Sequence, residues 1–147
     1  SGFKLIHVKR ELRSSIKSLA SMYLHSKTKG REFQTLISEN GASGLMERKG
    51  KYIIAEALSI NRWSAQGDVL SMKFEDIMAQ PERAIGAIGS HVELRLEESS
   101  LSIWHRATAA ETLTKAERFP KIEWTEKDET LFCEIRGDAA NRELGYD

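Results

Sequence analysis

Arg10, Arg13, Ser14, Ser15 and Ser18 crowd into the short stretch "KRELRSSIKS". The chemistry these residue types support is the binding of an anion. A guanidinium grips a phosphate through two N–H groups at once. The start of a helix adds free backbone N–H groups and a partial positive charge. An apolar run ends at Lys9-Arg10 and a helical pattern begins at Leu12, so Arg10 stands where a strand hands over to a helix. Ser18 follows on the polar face of that helix. A charge-assisted hydrogen bond at such a place contributes about 1.5–3 kcal/mol. Arginines and serines also suit an ordinary solvated helix face, so spacing alone leaves both readings open.

The other reactive side chains are less specific. Glu75-Asp76 could act as an acid–base pair, but between a strand and a helix carboxylates more often accept from free backbone N–H groups. His7 falls inside a strand pattern, where packing or an edge position is expected. His7, His25, His91 and His105 have no metal-ligand spacing, and no metal site is expected. Cys133 follows Phe132 in an apolar helix stripe and reads as core. Trp63, Trp104 and Trp124 are too scattered for a base-stacking platform.

The elements that must position Arg10 and Ser18 are legible from periodicity. "FKLIHV", residues 3–8, has strand length and β-leaning composition. From Leu12 the period changes, and Leu12, Ile16, Leu19, Ala20, Tyr23 and Leu24 share one helical face. A polar break covers 27–32, a weaker helix runs through Phe33 to Ile37, and "ENGASG" reads as a loop. A longer helix is expected over 46–65. "VLSMKF", residues 69–74, reads as a second strand. Pro81 suits the first turn of the helix after it, with Ile85, Ile88 and Val92 as its apolar stripe. A partly helical segment is expected over 98–118, around Leu101, Trp104 and Leu113. Thr125, with Asp128 three residues on, announces the last helix through a near capping box; Gly145 ends it. Two parallel strands alone make a poor sheet, because such strands need cover on both faces and neighbours on both edges. The pattern therefore implies either a helical bundle around a minimal ribbon or a sheet with strands missing.

Composition narrows the function classes. The 147 residues suffice for one domain with a core. Lys plus Arg number 22 and Asp plus Glu number 22, so no global charge draws the chain to nucleic acid or an anionic membrane. Any anion site has to be local. The single cysteine excludes an internal disulfide and a cysteine-based zinc cluster, and fits a cytoplasmic location. No apolar run reaches membrane-spanning length. Ser1-Gly2 reads as a cloning scar or truncation point, leaving 3–147 as a single domain.

Three stretches resemble one family, the sulfotransferases that use 3′-phosphoadenosine 5′-phosphosulfate (PAPS). "FKLIHVKRELRSSIKS" is similar to the family's 3′-phosphate segment: Arg10 falls on its arginine, Arg13 on its basic position and Ser18 on its serine. Leu12 stands where the family has proline and Ser14 where it has aspartate. "VLSMKFEDIMAQPERAIGAIGSHVEL" resembles the family's strand, its Tyr/Phe-Glu-Asp-Leu motif (here Phe74 to Ile77) and its Pro-initiated helix at Pro81. The chain closes on Leu144-Gly145-Tyr146, as many bacterial members do. The family's C-terminal Arg-Lys-Gly motif has no firm counterpart. Arg48-Lys49-Gly50 lies before the second strand instead of after it, and Lys115, Arg118, Lys121 and Trp124 match only loosely.

The resemblance implies a predominantly helical α/β fold, part of a P-loop NTPase/sulfotransferase-like architecture with two parallel strands. It implies transfer of a sulfuryl group from PAPS to a hydroxyl or amine of a small-molecule or glycan acceptor. Arg10 and Ser18 would hold the 3′-phosphate of PAPS or of its product 3′,5′-ADP, with Arg13 a weaker partner. The 5′-phosphosulfate loop and the catalytic base belong to the family's N-terminal third, which has no match here, so a truncated domain is expected. The rival expectation is a non-catalytic module that binds a nucleotide or a protein, with its exposed sheet edge covered by dimerisation. A helical protein with an accidental match is the third reading.

Overall fold

The change of period at Leu12 is realised as a change from strand to helix. The computed structural model describes residues 3–26, 31–94, 102 and 120–147. Among the described residues the chain is mostly helical with two parallel strands, and it divides into two compact units. Residues 1–10 and 59–113 form the first; residues 11–58 and 114–147 form the second.

In the first unit, β1 (Leu5–Lys9) pairs in parallel with β2 (Val69–Lys73). The register runs from Leu5 opposite Val69 to Lys9 opposite Lys73. Alternation along each strand sets His7 and Lys9 with Ser71 and Lys73 on one face, and Ile6 and Val8 with Leu70 and Met72 on the other. Leu5, Ile6 and Val8 are exposed. β2 passes directly into α4 (Phe74–Ala79), then into α5 (Pro81–Val92). Pro81 sits in the first turn, where a missing N–H costs nothing. Ile77 and Ala84 supply buried apolar contact. His91 donates from Nε2 to the carbonyl of Leu5 across 2.9 Å.

The second unit holds α1 (Leu12–His25), α2 (Arg31–Asn40), α6 (Glu126–Glu134), α7 (Gly137–Glu143) and the first part of α3 (Ala42–Ser64). The stripe read from the sequence, Leu12, Ile16, Ala20 and Tyr23, is buried against Ile37, Leu45, Met46 and Phe132. Each large apolar side chain removed from water here contributes about 1.5–3 kcal/mol. Gly41, at φ 61°, makes the single-residue corner between α2 and α3. Gly44 lets the two helices meet, since a Cβ there would collide with the carbonyl of Leu36.

Three expectations are corrected. "ENGASG" is not a loop, because one left-handed glycine turns the chain and both flanks stay helical. The final helix is two helices, broken where Arg136 takes the left-handed conformation at φ 65°. Cys133 is exposed, with Sγ 3.8 Å from Glu129 Oε1, and is not core. The segment expected over 98–118 lies outside the described residues except for Ser102, as do His105, Lys115, Arg118 and Ser1-Gly2.

The expected cap at Thr125 forms as a full capping box. Its Asp128 reaches further. Oδ2 accepts from the N–H and the hydroxyl of Thr125 at 2.8 and 2.7 Å. Oδ1 accepts from the N–H of Ser43 at 2.7 Å and from its hydroxyl. One carboxylate thus serves the starts of α6 and α3 together. Burial pushes the Asp128 carboxyl up, but the bonds from Ser43 and Thr125 outweigh it and hold it below the usual range. Replacing Asp128 by Ala strands these donors in a site that is 1% exposed. We expect urea unfolding to show a loss of about 3 kcal/mol for Asp128→Ala, with Asp128→Asn intermediate. An Asp128→Ala protein as stable as the parent would show that the shared cap does not hold the second unit together.

Candidate functional site

Arg10 directly follows β1, at the carboxyl end of a parallel strand, where open α/β folds bind ligands. It is half-buried, and its guanidinium carbon lies 4.7 Å from the centroid of the Phe74 ring. Phe74 directly follows β2. The in-register pairing of Lys9 with Lys73 is what brings the two positions together. A guanidinium stacked on a ring keeps its N–H edge for hydrogen bonding while the ring limits its rotamers. The residues that directly follow the two strands therefore meet at one point.

The start of α1 is arranged otherwise than its sequence suggests. Glu11 is the N-cap, and its carboxylate accepts the N–H of Ser14 at 2.7 Å. Asn141 Oδ1 accepts the N–H of Leu12 at 2.9 Å, and Asn141 Nδ2 donates to Glu11 Oε1 at 2.5 Å. Burial pushes the Glu11 carboxyl up, but the backbone N–H groups of Ser14 and Arg13, with Asn141, outweigh it and hold it below its ordinary value. The chain's own carboxylate occupies the place at the helix start that a phosphate would otherwise take.

Arg13 belongs to the same internal network. Nε and Nη2 donate to the two oxygens of Glu129 at 2.8 and 2.6 Å, a bidentate pair. Nη1 reaches Glu11 at 3.3 Å, and the guanidinium lies 4.4 Å from the Phe132 ring centroid. Trp124 Nε1 also donates to Glu129 at 2.7 Å. Trp124, a loose match for the family's C-terminal motif, packs edge-on against Phe132. Ser18 is exposed on α1. Its neighbours are engaged: Ser15 donates to the Glu11 carbonyl one turn back and Ser21 to that of the distant Pro120.

His7 Nδ1 lies 3.0 Å from Ser64 Oγ, which also lies 2.8 Å from the carbonyl oxygen of Asn61. Ser71 Oγ lies 3.3 Å from the same nitrogen. Burial, and then the charge of Lys9, lowers the His7 pKa and favours the neutral ring. Lys121 is exposed. Among the described residues no cluster of His, Cys, Asp or Glu is placed to hold a metal ion. No described helix is long and apolar enough to cross a membrane.

Sequence reasoning missed the contact between Arg10 and Phe74, although both directly follow strand patterns and a parallel register would have paired them. It also missed that Arg13 has a carboxylate partner; nothing in the local spacing points to Glu129. No family model, curated protein or solved structure matches the chain.

Glu129 yields a pH test. The bond from Arg13, followed by that from Trp124, lowers its pKa from 4.5 to about 2. A depressed carboxylate contributes stability that is complete above its unfolded pKa and is lost as pH falls through its folded one. The urea midpoint should therefore drop between about pH 5 and about pH 2, and Glu129→Gln should flatten that drop. An identical pH profile for the variant would remove the Arg13–Glu129 pair from the account of stability.

Proposed function

We propose that the chain is a sulfotransferase-like domain whose Arg10 takes the 3′-phosphate of PAPS or 3′,5′-ADP. The observation that carries this reading is the position of Arg10. It ends a parallel strand, is steadied by Phe74 of the second matched stretch, and lies outside the carboxylate network that engages Arg13. With Glu11 already capping α1, recognition rests on side chains more than on the helix start. Arg13 acts by positioning α1 against Glu129. The parent reaction moves a sulfuryl group from PAPS to a hydroxyl or amine acceptor. A domain of this kind contributes chiefly by holding the reactants in register and countering charge on the transferring group.

The exposure of Leu5, Ile6 and Val8 on β1 favours a second reading. In it the chain is a non-catalytic, sulfotransferase-like module that binds the nucleotide or a protein and covers its sheet edge by self-association.

Calorimetry with 3′,5′-ADP tests the shared claim. The parent chain should bind, and Arg10→Ala should weaken binding tenfold or more, the equivalent of about 1.5–3 kcal/mol for a charge-assisted contact. No binding by the parent chain would overturn the nucleotide reading. Equal binding by Arg10→Ala would remove Arg10 from it. Binding with no sulfuryl transfer to a panel of phenols, amines and sugars would select the module.

A further inference from the structure

Within the first unit, a groove of about 540 Å³ runs beside the end of β2. That volume lies in the range of small-molecule sites. Consecutive residues, Leu70 to Lys73, line it, so it follows the edge of the strand and not one face, since alternate side chains point to opposite faces. Its apolar lining includes Leu70, Met72 and Ala87. Three cations also line it: Lys9, Lys73 and Arg83. The register places Lys9 directly opposite Lys73 at the carboxyl ends of the two strands, while Arg83 comes from the first turns of α5. Among the described residues of the lining, Asp76 is the one carboxylate beside the three cations. Arg83 is exposed, with Nη1 3.5 Å from Gln80 Oε1. Arg10 does not line the groove.

We propose that this groove binds an amphiphilic organic anion, with an aromatic or alkyl body on the apolar lining of Leu70, Met72 and Ala87 and a phosphate, sulfate or carboxylate among Lys9, Lys73 and Arg83. The charge selects the anion. In a chain with no net charge this is a local concentration of cations, created by the parallel register. The apolar lining selects against a bare inorganic ion, which leaves that surface wet. The site is separate from the nucleotide reading and stands or falls apart from it.

Amide NMR of the whole chain, titrated with phenyl phosphate, benzyl alcohol and inorganic phosphate, tests the proposal. Phenyl phosphate should give saturable shifts at the amides of 70–73 and 83–87, and bind at least tenfold more tightly than either comparator. The double variant Lys73→Gln, Arg83→Gln should weaken it tenfold or more. Ala87→Phe should fill the groove and abolish saturation. Arg10→Ala should leave it unchanged, the opposite of its effect on 3′,5′-ADP. Shifts centred elsewhere would overturn the proposal, as would equal binding of benzyl alcohol or of inorganic phosphate. An unchanged affinity in the double variant, both of whose substitutions keep a polar side chain, would do so even if Ala87→Phe failed to fold. A loss in Arg10→Ala matching that for 3′,5′-ADP would merge the two sites and overturn their separateness.

Discussion

The start of α1 governs how much of the anion-binding chemistry in "KRELRSSIKS" is open to a ligand. A helix start leaves backbone N–H groups unpaired, and something must accept from them. Here Glu11 and Asn141 do so, and Arg13 is drawn in behind them by Glu11 and Glu129. The arrangement satisfies the donors and neutralises the partial positive charge in one step. It also divides the two arginines by role. Arg13 ties α1 to α6, while Arg10 lies over the Phe74 ring. Residues that look equivalent on paper do different work because one of them met a carboxylate.

Asp128 repeats the logic at greater depth. A buried carboxylate is costly unless its lone pairs are used. Each oxygen here accepts from both the N–H and the hydroxyl of one residue, Ser43 on one side and Thr125 on the other. The starts of α3 and α6 are therefore fixed to each other by a single group. In both networks the chain supplies its own anions to its helix starts, which is how it stabilises them without a bound ligand.

The local features were legible, and the distant ones were not. Strand length at Leu5–Lys9 and Val69–Lys73, the stripe from Leu12 to Tyr23, Pro81 in the first turn of α5 and the cap at Thr125 all follow from neighbours within a few residues. "ENGASG" misled because glycine, asparagine and serine usually signal an extended loop, whereas Gly41 turns the chain alone and Ser43 is needed inside the helix start. Cys133 follows Phe132 in sequence, but the next helical position is rotated by about 100°, enough to leave the core. The partner of Arg13 lies 116 residues away and that of Ser43 lies 85 away. No periodicity encodes such pairs. Of the candidate site, the residue types and the strand-to-helix junction could be read, but which arginine was committed elsewhere could not.

The parallel register explains how a chain with balanced charge builds a cationic locality at all. In a parallel pair both strands end at the same edge, so whatever follows each strand in sequence becomes a neighbour in space. Lys9 meets Lys73, and Arg10 meets Phe74. Neither pair needs a charge run in the sequence, and none is present there. An antiparallel pairing of the same two segments would have set Lys9 against Val69 and dispersed the cations to opposite ends. The topology, more than the composition, concentrates positive charge at the strand ends, where open α/β folds bind ligands. It does so at the edge of a sheet whose apolar residues Leu5, Ile6 and Val8 remain exposed. Charge and apolar surface at one small sheet are the two properties that ligand recognition requires together.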